Sequence, residues 1–406
     1  MKIALLFGLF PEEFYVEILN KSKGGIQYAA DALQKSFVEG IGSQREDVEI
    51  INVPYIGSYP QRYSCLYAPK GDFQYKTANG HLVHGKTLQF CNLKGYKMYD
   101  SYRVAKNALL SWMRKNEKQD CVIMVYAIYV PFLRAVINVK KKFPSVRILL
   151  IVPDLPQYMT PENTVITKLL HRMKQLLLKG CYEYVDYYVL LSQYMVECLP
   201  VGNKPWTVIE GIFNNLHDDV QQKKEEIGIK VVFYSGTLAK RYGIMNLVRA
   251  FVGMKNAHYR LVICGDGDAK DEIESYARQD FRLIYKGLLP RHEILKLQKQ
   301  ADLLVNPRTP EGEFTRYSFP SKTMEYLASG VPTLLYRLPG IPSEYFDYCF
   351  VVNDLGVEAL RDKMNEILNL PVGCLRSKGE KARKFILEQK NPIMQCKKIF
   401  QLIQNR

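Results

Sequence analysis

The chain has 406 residues, enough for two average domains, and 47% of them are hydrophobic and 24% charged. This composition excludes a disordered protein, and the lack of any charge-free apolar run of ~18 residues excludes a membrane span. The net charge of +15 is concentrated in residues 51–150, where sixteen Lys and Arg face four Asp and Glu. Such a basic region suits phosphate, nucleic acid or an anionic membrane surface, or only serves solubility.

Strand-like and helix-like stretches alternate in the first half of the chain. Apolar runs predict strands at 2–7, 48–56, 121–130, 146–154 and 187–192. Helices are predicted at 25–41 and 102–118, and nearly continuous Val, Ile and Leu in the strands favour a parallel sheet covered on both faces. The Tyr-rich stretch 55–75 predicts a long loop able to stack on acceptor sugars.

The same pattern restarts in the second half. A strand ending in a glycine turn is predicted at 229–238, a helix at 242–254, and further strands at 260–265, 282–287 and 302–307. We therefore predict an α/β protein with two Rossmann-like, doubly wound parallel-sheet domains that face each other across a cleft. The expected boundaries are 1–205, 206–385, and a C-terminal helix at 386–406 that returns to the first domain.

A loop followed by a short helix carries the most informative motif, FPSKTMEYLASG. Ser321, Lys322 and Thr323 fall in the first helical turn, where free backbone N–H groups form an anion site. Glu325 lies one turn further and could reach a pair of ribose hydroxyls, or it is a surface residue with helical neighbours. Gly330 is the expected end of the helix.

The second half resembles the family 4 retaining glycosyltransferases, which have the two-domain GT-B fold. The motifs FYSGTLAKRYGIMNLVRAF, ICGDGDAKDEIE, YKGLLPRHEILKLQKQADLLVNP and FPSKTMEYLASGVP follow one another in family order across about 229–335. In the first half, KGGIQYAADAL is similar to the glycine loop of that family.

The resemblance implies a nucleotide-sugar donor, a UDP- or GDP-sugar, with Glu325 on its ribose. Tyr242 occupies the place of the usual phosphate lysine, so the diphosphate charge is assigned to Lys240 or Arg241. The implied donor-binding residues are Gly24, Gly25, Gly236, Thr237, Lys240, Arg241, Pro320, Ser321, Lys322, Thr323 and Glu325. The implied catalytic residues are Asp154, Lys240 and Arg241, although Asp154 before Leu155-Pro156 also fits an ordinary turn.

Retaining members of this family are thought to work without a protein base, the donor phosphate taking the acceptor proton. Fixed cations and N–H dipoles then stabilise the leaving diphosphate. No paired-carboxylate motif lies at a suitable strand end, so we expect no obligatory metal or other cofactor.

The acceptor is expected to be a glycan or a lipid-linked glycan of surface polysaccharide assembly. Nine scattered cysteines without CxxC predict reduced thiols and a cytoplasmic protein, and the N-terminal apolar run is interpreted as a strand, not a signal peptide. The acid-free segment 164–181 carries Lys168, Arg172, Lys174 and Lys179 beside leucines. It is either an amphipathic helix packed on the sheet or a peripheral contact with the inner face of the plasma membrane.

Two other function classes remain open at this point. A nucleotide-sugar epimerase or hydrolase of the same fold would share the donor site and release an epimer or free sugar without an acceptor. A nucleic-acid-binding protein would explain the charge but lacks any recognisable motif, and we expect no nucleic-acid partner. A dinucleotide dehydrogenase is disfavoured, because neither opening strand is followed by GxGxxG.

Overall fold

The computed structural model describes residues 1–155, 176–178, 180–214 and 228–404. The chain divides into two compact units. Unit 1 comprises Met1–Asn214 and Pro392–Arg406, and unit 2 comprises Asn215–Asn391.

Unit 1 is built on a sheet whose strand order is β3-β4-β2-β1-β5-β6-β7-β8. Its strands are β1 (Lys2–Phe7), β2 (Val48–Asn52), β3 (Gly71–Lys76), β4 (Leu82–Thr87), β5 (Cys121–Tyr126), β6 (Arg147–Val152), β7 (Tyr187–Leu190) and β8 (Trp206–Val208). Its described helices are α1 (Glu12–Lys21), α2 (Tyr28–Gly42), α3 (Lys97–Asn116), α4 (Val130–Lys142) and, from the end of the chain, α11 (Pro392–Gln404).

The central strands of unit 1 pair in parallel and are buried on both faces, as their apolar sequences predict. In β5 and β7 every residue is buried. The five strands predicted in this half are confirmed, and four of them end two to four residues earlier than expected. The expectation of a continuous loop across 55–75 is wrong at its end, because Gly71–Lys76 forms β3, antiparallel to β4.

Helix α11 packs against α2 and β8 in unit 1. Its start leaves no room for a side chain at position 40, where a Cβ atom on Gly40 would lie 2.1 Å from the Pro392 carbonyl oxygen. Cys396 and Ile399 are fully buried in the same apolar core as Phe37. The end of the chain is thereby part of the core of unit 1.

Unit 2 has an all-parallel sheet in the order β11-β10-β9-β12-β13-β14. Its strands are β9 (Lys230–Ser235), β10 (Tyr259–Cys264), β11 (Leu283–Tyr285), β12 (Leu303–Asn306), β13 (Thr333–Tyr336) and β14 (Phe350–Val352). Its described helices are α5 (Ile244–Val252), α6 (Lys270–Gln279), α7 (Arg291–Gln300), α8 (Ser321–Ala328), α9 (Val357–Leu368) and α10 (Val372–Gln389).

Numbered within the unit, these strands follow the 3-2-1-4-5-6 order of a Rossmann sheet. In such a sheet, ligands bind outside the carboxyl ends of the strands, where the strand order reverses. Here that switch point lies between β9 and β12. The predicted α/β class with two Rossmann-like parallel-sheet domains is confirmed. Among the described helices, none combines the length and apolarity that crossing a bilayer requires.

Candidate functional site

Two loops meet at the switch point of unit 2. The turn after β9 contains Gly236, and the short 3₁₀ helix that follows ends at Gly243, whose φ of 78° is left-handed. A Cβ atom on Gly243 would lie 2.2 Å from the carbonyl oxygen of Pro307, which follows β12. Only glycine combines this backbone conformation with this close approach. Gly243 therefore brings the β9 and β12 loops together.

Helix α8 is tied to the same switch point by Tyr326. This residue is fully buried, and its hydroxyl accepts a 2.8 Å hydrogen bond from the Ser235 amide at the end of β9. The hydroxyl also lies 3.2 Å from the Ser235 carbonyl oxygen. The side-chain amide of Gln298 on α7 donates a second hydrogen bond, of 3.0 Å, to the carbonyl oxygen of Glu325. The position of α8 at the sheet edge is thus fixed from two sides.

Glu325 presents a carboxylate that already has two cationic neighbours. Lys322 Nζ lies 2.6 Å from Glu325 Oε1, and Arg291 lies 3.3 Å from Oε2. The Glu325 side chain is only 13% exposed, whereas that of Arg291 is 75% exposed. Since exposed ion pairs contribute little, the Arg291 contact can be exchanged for a ligand at small cost. Lys322 holds the carboxylate from within the helix.

The first turn of α8 contains the other three residues of the predicted anion site. The helix begins after Pro320 without a side-chain cap on its first N–H groups. The Thr323 amide donates to Pro320 at 2.8 Å, and the Thr323 hydroxyl is buried with no partner among the described residues. Ser321 and Lys322 precede it at the open end of the turn. Their backbone N–H groups are the ones that intrahelical bonding leaves free.

Lys240 and Arg241 both follow the Gly236 and Thr237 turn but have different surroundings. Lys240 Nζ lies 2.9 Å from Glu272, and this hydrogen bond raises the pKa of the exposed ammonium group. Arg241 instead lies over the ring of Tyr242, with its guanidinium carbon 4.9 Å from the ring centroid. Lys240 is therefore already paired with a carboxylate, whereas Arg241 lies beside Tyr242, the residue that replaces the expected phosphate lysine.

Arg308 is a cation of this site that sequence reasoning missed. It follows β12, and its guanidinium lies 5.2 Å from the ring centroid of Tyr242 and 4.6 Å from that of Phe314. One of its terminal nitrogens donates to Ser318 at 2.9 Å, while its buried Nε–H has no acceptor among the described residues. Burial lowers the pKa of Arg308, which nonetheless stays charged. A desolvated cation with an unused donor is suited to bind an anion.

The signal for Arg308 was present in the sequence. Tyr242 stands where the resemblance leads one to expect a cation, and Arg308 directly follows the strand-like run DLLVNP. The two facts connect only when β9 and β12 are known to be neighbours, as their register shows.

In unit 1, Asp154 follows β6 at the carboxyl end of the sheet. The residue keeps exposed surface, but surrounding protein desolvates its carboxyl group, and this burial raises the pKa of Asp154 to about 6. The pKa of the nearby Tyr126 is raised, mainly by burial and to a smaller extent by the charge of Asp154. Asp154 thus changes its charge close to neutral pH.

Gly24 and Gly25 lie in the exposed turn that leads into α2. Gly24 has φ of 123°, and a Cβ atom at either glycine would meet nothing within 4 Å. The loop after β1 is held by α2 instead, because Asp31 and Gln34 accept 2.6 Å hydrogen bonds from the amides of Phe10 and Gly8. These two buried hydrogen bonds were not predicted from the sequence.

Two predictions remain, one on the basic segment 164–181 and one on metal binding. The segment 164–181 lies outside the described residues except at 176–178, 180 and 181. Within the described ranges, no group of three or more His, Cys, Asp or Glu side chains is arranged to hold a metal ion.

A family model described as glycosyl transferases group 1 matches residues 217–391. The matched segment contains the switch point of unit 2, including Gly236, Arg308 and Glu325. The match covers less than half of the chain and lies within unit 2. No curated protein sequence matches the chain.

Solved structures of glycosyltransferases resemble the whole chain. The sucrose-phosphate synthase (tll1590) from Thermosynechococcus elongatus has a TM-score of 0.63 at 15% identity, with 100% of this chain and 98% of that chain covered. The lipopolysaccharide outer core galactosyltransferase WaaB has a TM-score of 0.60 at 14% identity, with 99% of each chain covered. Anabaena Alr3699/HepE, solved in complex with UDP, has a TM-score of 0.61 at 14% identity over 100% of both chains. At such low identity these likenesses establish the fold, and the predicted GT-B fold class is confirmed.

Proposed function

We propose that this chain is a retaining, metal-independent glycosyltransferase that moves a sugar from a UDP- or GDP-sugar to a glycan or lipid-linked acceptor in surface polysaccharide assembly. The observation that carries the proposal is the convergence of Glu325, Arg308 and the first turn of α8 at the switch point of unit 2. Diphosphate and ribose require these groups: cations, free N–H donors and a fixed carboxylate.

Each part of the donor has a matching group in this arrangement. The ribose hydroxyls donate to Glu325, which Lys322 holds in place at 2.6 Å. The diphosphate accepts from the amides of Ser321 and Lys322 and from the guanidinium of Arg308. Lys240 and Arg241 add positive charge at the opposite loop, after β9. The role of Gly24 and Gly25 in donor binding stays a prediction from the resemblance.

In the transfer step, the bond between the anomeric carbon and the donor phosphate breaks, and a bond from the acceptor oxygen to that carbon forms on the same face. The acceptor proton goes to the departing phosphate oxygen. Negative charge grows on the diphosphate as the bond breaks, so cations already in place stabilise the transition state more than the ground state. Asp154 orients the acceptor by accepting a hydrogen bond from a neighbouring hydroxyl.

A panel of nucleotide sugars tests the donor class. We expect one UDP- or GDP-sugar to raise the melting temperature and to be consumed with an added acceptor, in the presence of a chelator, giving a product with the anomeric configuration of the donor by NMR. An inverted anomer would contradict retention. Free sugar or an epimer formed without acceptor would instead identify a hydrolase or epimerase.

We also propose a peripheral contact with an anionic cytoplasmic membrane through the basic segment 164–181. Leu176 and Leu177, at its described end, are 68% and 41% exposed, whereas Leu178 is buried. Each Lys or Arg near an anionic surface contributes about 1 kcal/mol, so four of them can hold a protein reversibly.

Co-sedimentation with liposomes tests this contact. The wild-type protein should bind anionic but not zwitterionic vesicles and be released by high salt, because the attraction decays within about 8 Å at physiological ionic strength. Changing Lys168, Arg172, Lys174 and Lys179 to Gln should abolish binding. Equal binding to both lipids, or no effect of the four changes, would contradict the proposal.

A further inference from the structure

Unit 1 contains a groove of about 940 Å³ between helix α3 and the outer strands β2, β4 and β3. Volumes of this order are typical of sites for small organic ligands. All residues that line the groove belong to unit 1, and none of them is among the donor-binding or catalytic residues named above. The groove therefore needs an explanation of its own.

The floor of the groove is a sheet face that no helix in the described part of the chain covers. Strand β2 leads into the β3–β4 hairpin without an intervening helix, so the crossover that would cover these strands is missing. The opposite face of the same strands is buried in the core through Ile50, Phe73 and Val83. Residues alternate between the two faces along a strand, so the residues on either side of Ile50, Phe73 and Val83 lie on the open face.

That open face has polar side chains in two cross-strand rows. One row runs Gln74, His84, Glu49 across the three strands, and the next runs Asp72, Lys86, Ile51. Neighbours in a row are close enough to act on a ligand together. The two rows place hydrogen-bond donors and acceptors side by side, with the apolar Ile51 at the end of one row.

Helix α3 forms the wall. Asn107, Ser111 and Lys115 recur at helical spacing along its exposed face and line the groove. Beside them Trp112, only 4% exposed, also lines the groove, and its buried indole N–H has no acceptor among the described residues. The indole ring therefore borders the groove, although its buried nitrogen is not open to a ligand.

The charge of the groove indicates the class of ligand. Three carboxylates (Glu13, Glu49, Asp72) and two ammonium groups (Lys86, Lys115) line it, so it is close to neutral. This contrasts with the surplus of basic residues across 51–150. A polyanion would meet three carboxylates, and an apolar chain would leave the polar rows unpaired. Hydroxyl groups, each both donor and acceptor, satisfy such a mixture.

We propose that this groove binds an uncharged oligosaccharide, at a site separate from the donor site. The proposal rests on the chemistry of the groove and is independent of the transfer reaction proposed above. The amides of Gln74 and Asn107 bind sugar hydroxyls, Ile51 contacts the C–H face of a ring, and the Trp112 indole lies next to the bound sugar.

The two tryptophans of the chain make a direct test possible. In a Trp206→Phe variant labelled with ¹⁵N-tryptophan, Trp112 gives the single indole N–H signal. We would titrate this full-length protein with uncharged tetrasaccharides of glucose, mannose and N-acetylglucosamine, and with a sulfated tetrasaccharide. At least one uncharged probe should shift the signal saturably, and the sulfated probe should not.

Paired amide substitutions locate the binding. Gln74→Ala with Asn107→Ala removes two exposed groove amides and should weaken binding about tenfold or more. Gln119→Ala with Asn138→Ala removes two exposed amides of unit 1 outside the groove and should leave the affinity unchanged. The proposal is overturned if no uncharged probe shifts the signal, if only the sulfated probe does, or if both double variants respond alike.

Discussion

The carboxyl edges of the two sheets differ in chemistry although both belong to Rossmann-like units. In unit 2 the edge at β9 and β12 collects charges: Glu325 between two cations, and Arg308 between two aromatic rings. In unit 1 the corresponding edge is aromatic. Tyr55 donates 2.6 Å to the carbonyl oxygen of Tyr126 and lies against Phe132, with ring centroids 5.7 Å apart.

The backbone of unit 1 also departs from ordinary geometry at this edge. Ala127, directly after β5, has φ of 77°, which is unfavourable for a residue with a side chain. Such strain persists where the surroundings fix it, often at functional sites. Asp154 is the single predicted catalytic carboxylate there, with its pKa raised to about 6.

This difference separates two tasks. An edge with fixed cations suits a ligand that carries negative charge and gains more during the reaction. An edge with packed aromatic rings and a carboxylate such as Asp154 suits an uncharged sugar, whose C–H faces pack on rings and whose hydroxyls donate to an acid. The following variants would sharpen or break this division.

Replacing Arg308 with Gln should have the largest of these effects. Removing a charged hydrogen-bond donor from this half-buried position costs about 1.5–3 kcal/mol, or roughly 10–100-fold in nucleoside diphosphate affinity by calorimetry. Arg241→Gln is the matched control, since it removes the more exposed cation from the same Tyr242 ring. Equal effects of the two changes would mean that Arg308 has no special role in donor binding.

Replacing both Lys240 and Arg241 with Ala should lower kcat about tenfold and change KM less, because their charge matters most as the leaving group ionises. Steady-state kinetics with saturating acceptor measures both constants. Lys240→Ala alone should have a smaller effect, as Glu272 already neutralises part of its charge. A change in KM alone would restrict both residues to ground-state binding.

Asp154→Asn tests the unit 1 edge through the pH dependence. The hydrogen bond proposed for Asp154 requires its ionised form, so wild-type kcat/KM should rise a few-fold from below to above pH about 6. The Asn variant should lose that rise. A profile with the same inflection in both proteins would assign it to another group.

Ionisation of Asp154 should lower the stability of the folded protein, although it is expected to raise kcat/KM. Its pKa is higher in the folded protein than the ordinary value of 3.8, so the favourable contribution exists at low pH and is lost as the pH rises through about 6. At neutral pH, Asp154→Asn should therefore raise the melting temperature slightly. A lower melting temperature would indicate that the charged carboxylate has a stabilising partner.

The sequence predicted the fold where local pattern and tertiary structure agree. Nearly continuous apolar runs such as 121–126 can be satisfied only by a strand buried on both faces, which parallel sheets provide. The β3–β4 hairpin was missed because Gly71–Lys76 contains Gly, Asp and Lys, residues typical of turns. Only pairing with β4 makes it a strand.

The site shows the same limit. The FPSK motif and Glu325 are contiguous in sequence and could be interpreted together. Arg308 could not be assigned, because its relation to Tyr242 depends on two strands that are neighbours in the sheet and about seventy residues apart in the chain. The resemblance alone left Lys240 and Arg241 as the candidates.

The central claim is that the carboxyl edge of unit 2 binds a nucleoside diphosphate through its ribose and its phosphates. Calorimetric titration of UDP and GDP into wild type and Glu325→Ala tests it most directly. The account predicts a loss of roughly 10–100-fold for the nucleotide that binds, because a charge-assisted ribose contact disappears. Inorganic pyrophosphate should bind the variant at least as well, since Lys322 and Arg291 lose the carboxylate that neutralises them. Unchanged nucleotide affinity in a folded Glu325→Ala protein would contradict the claim.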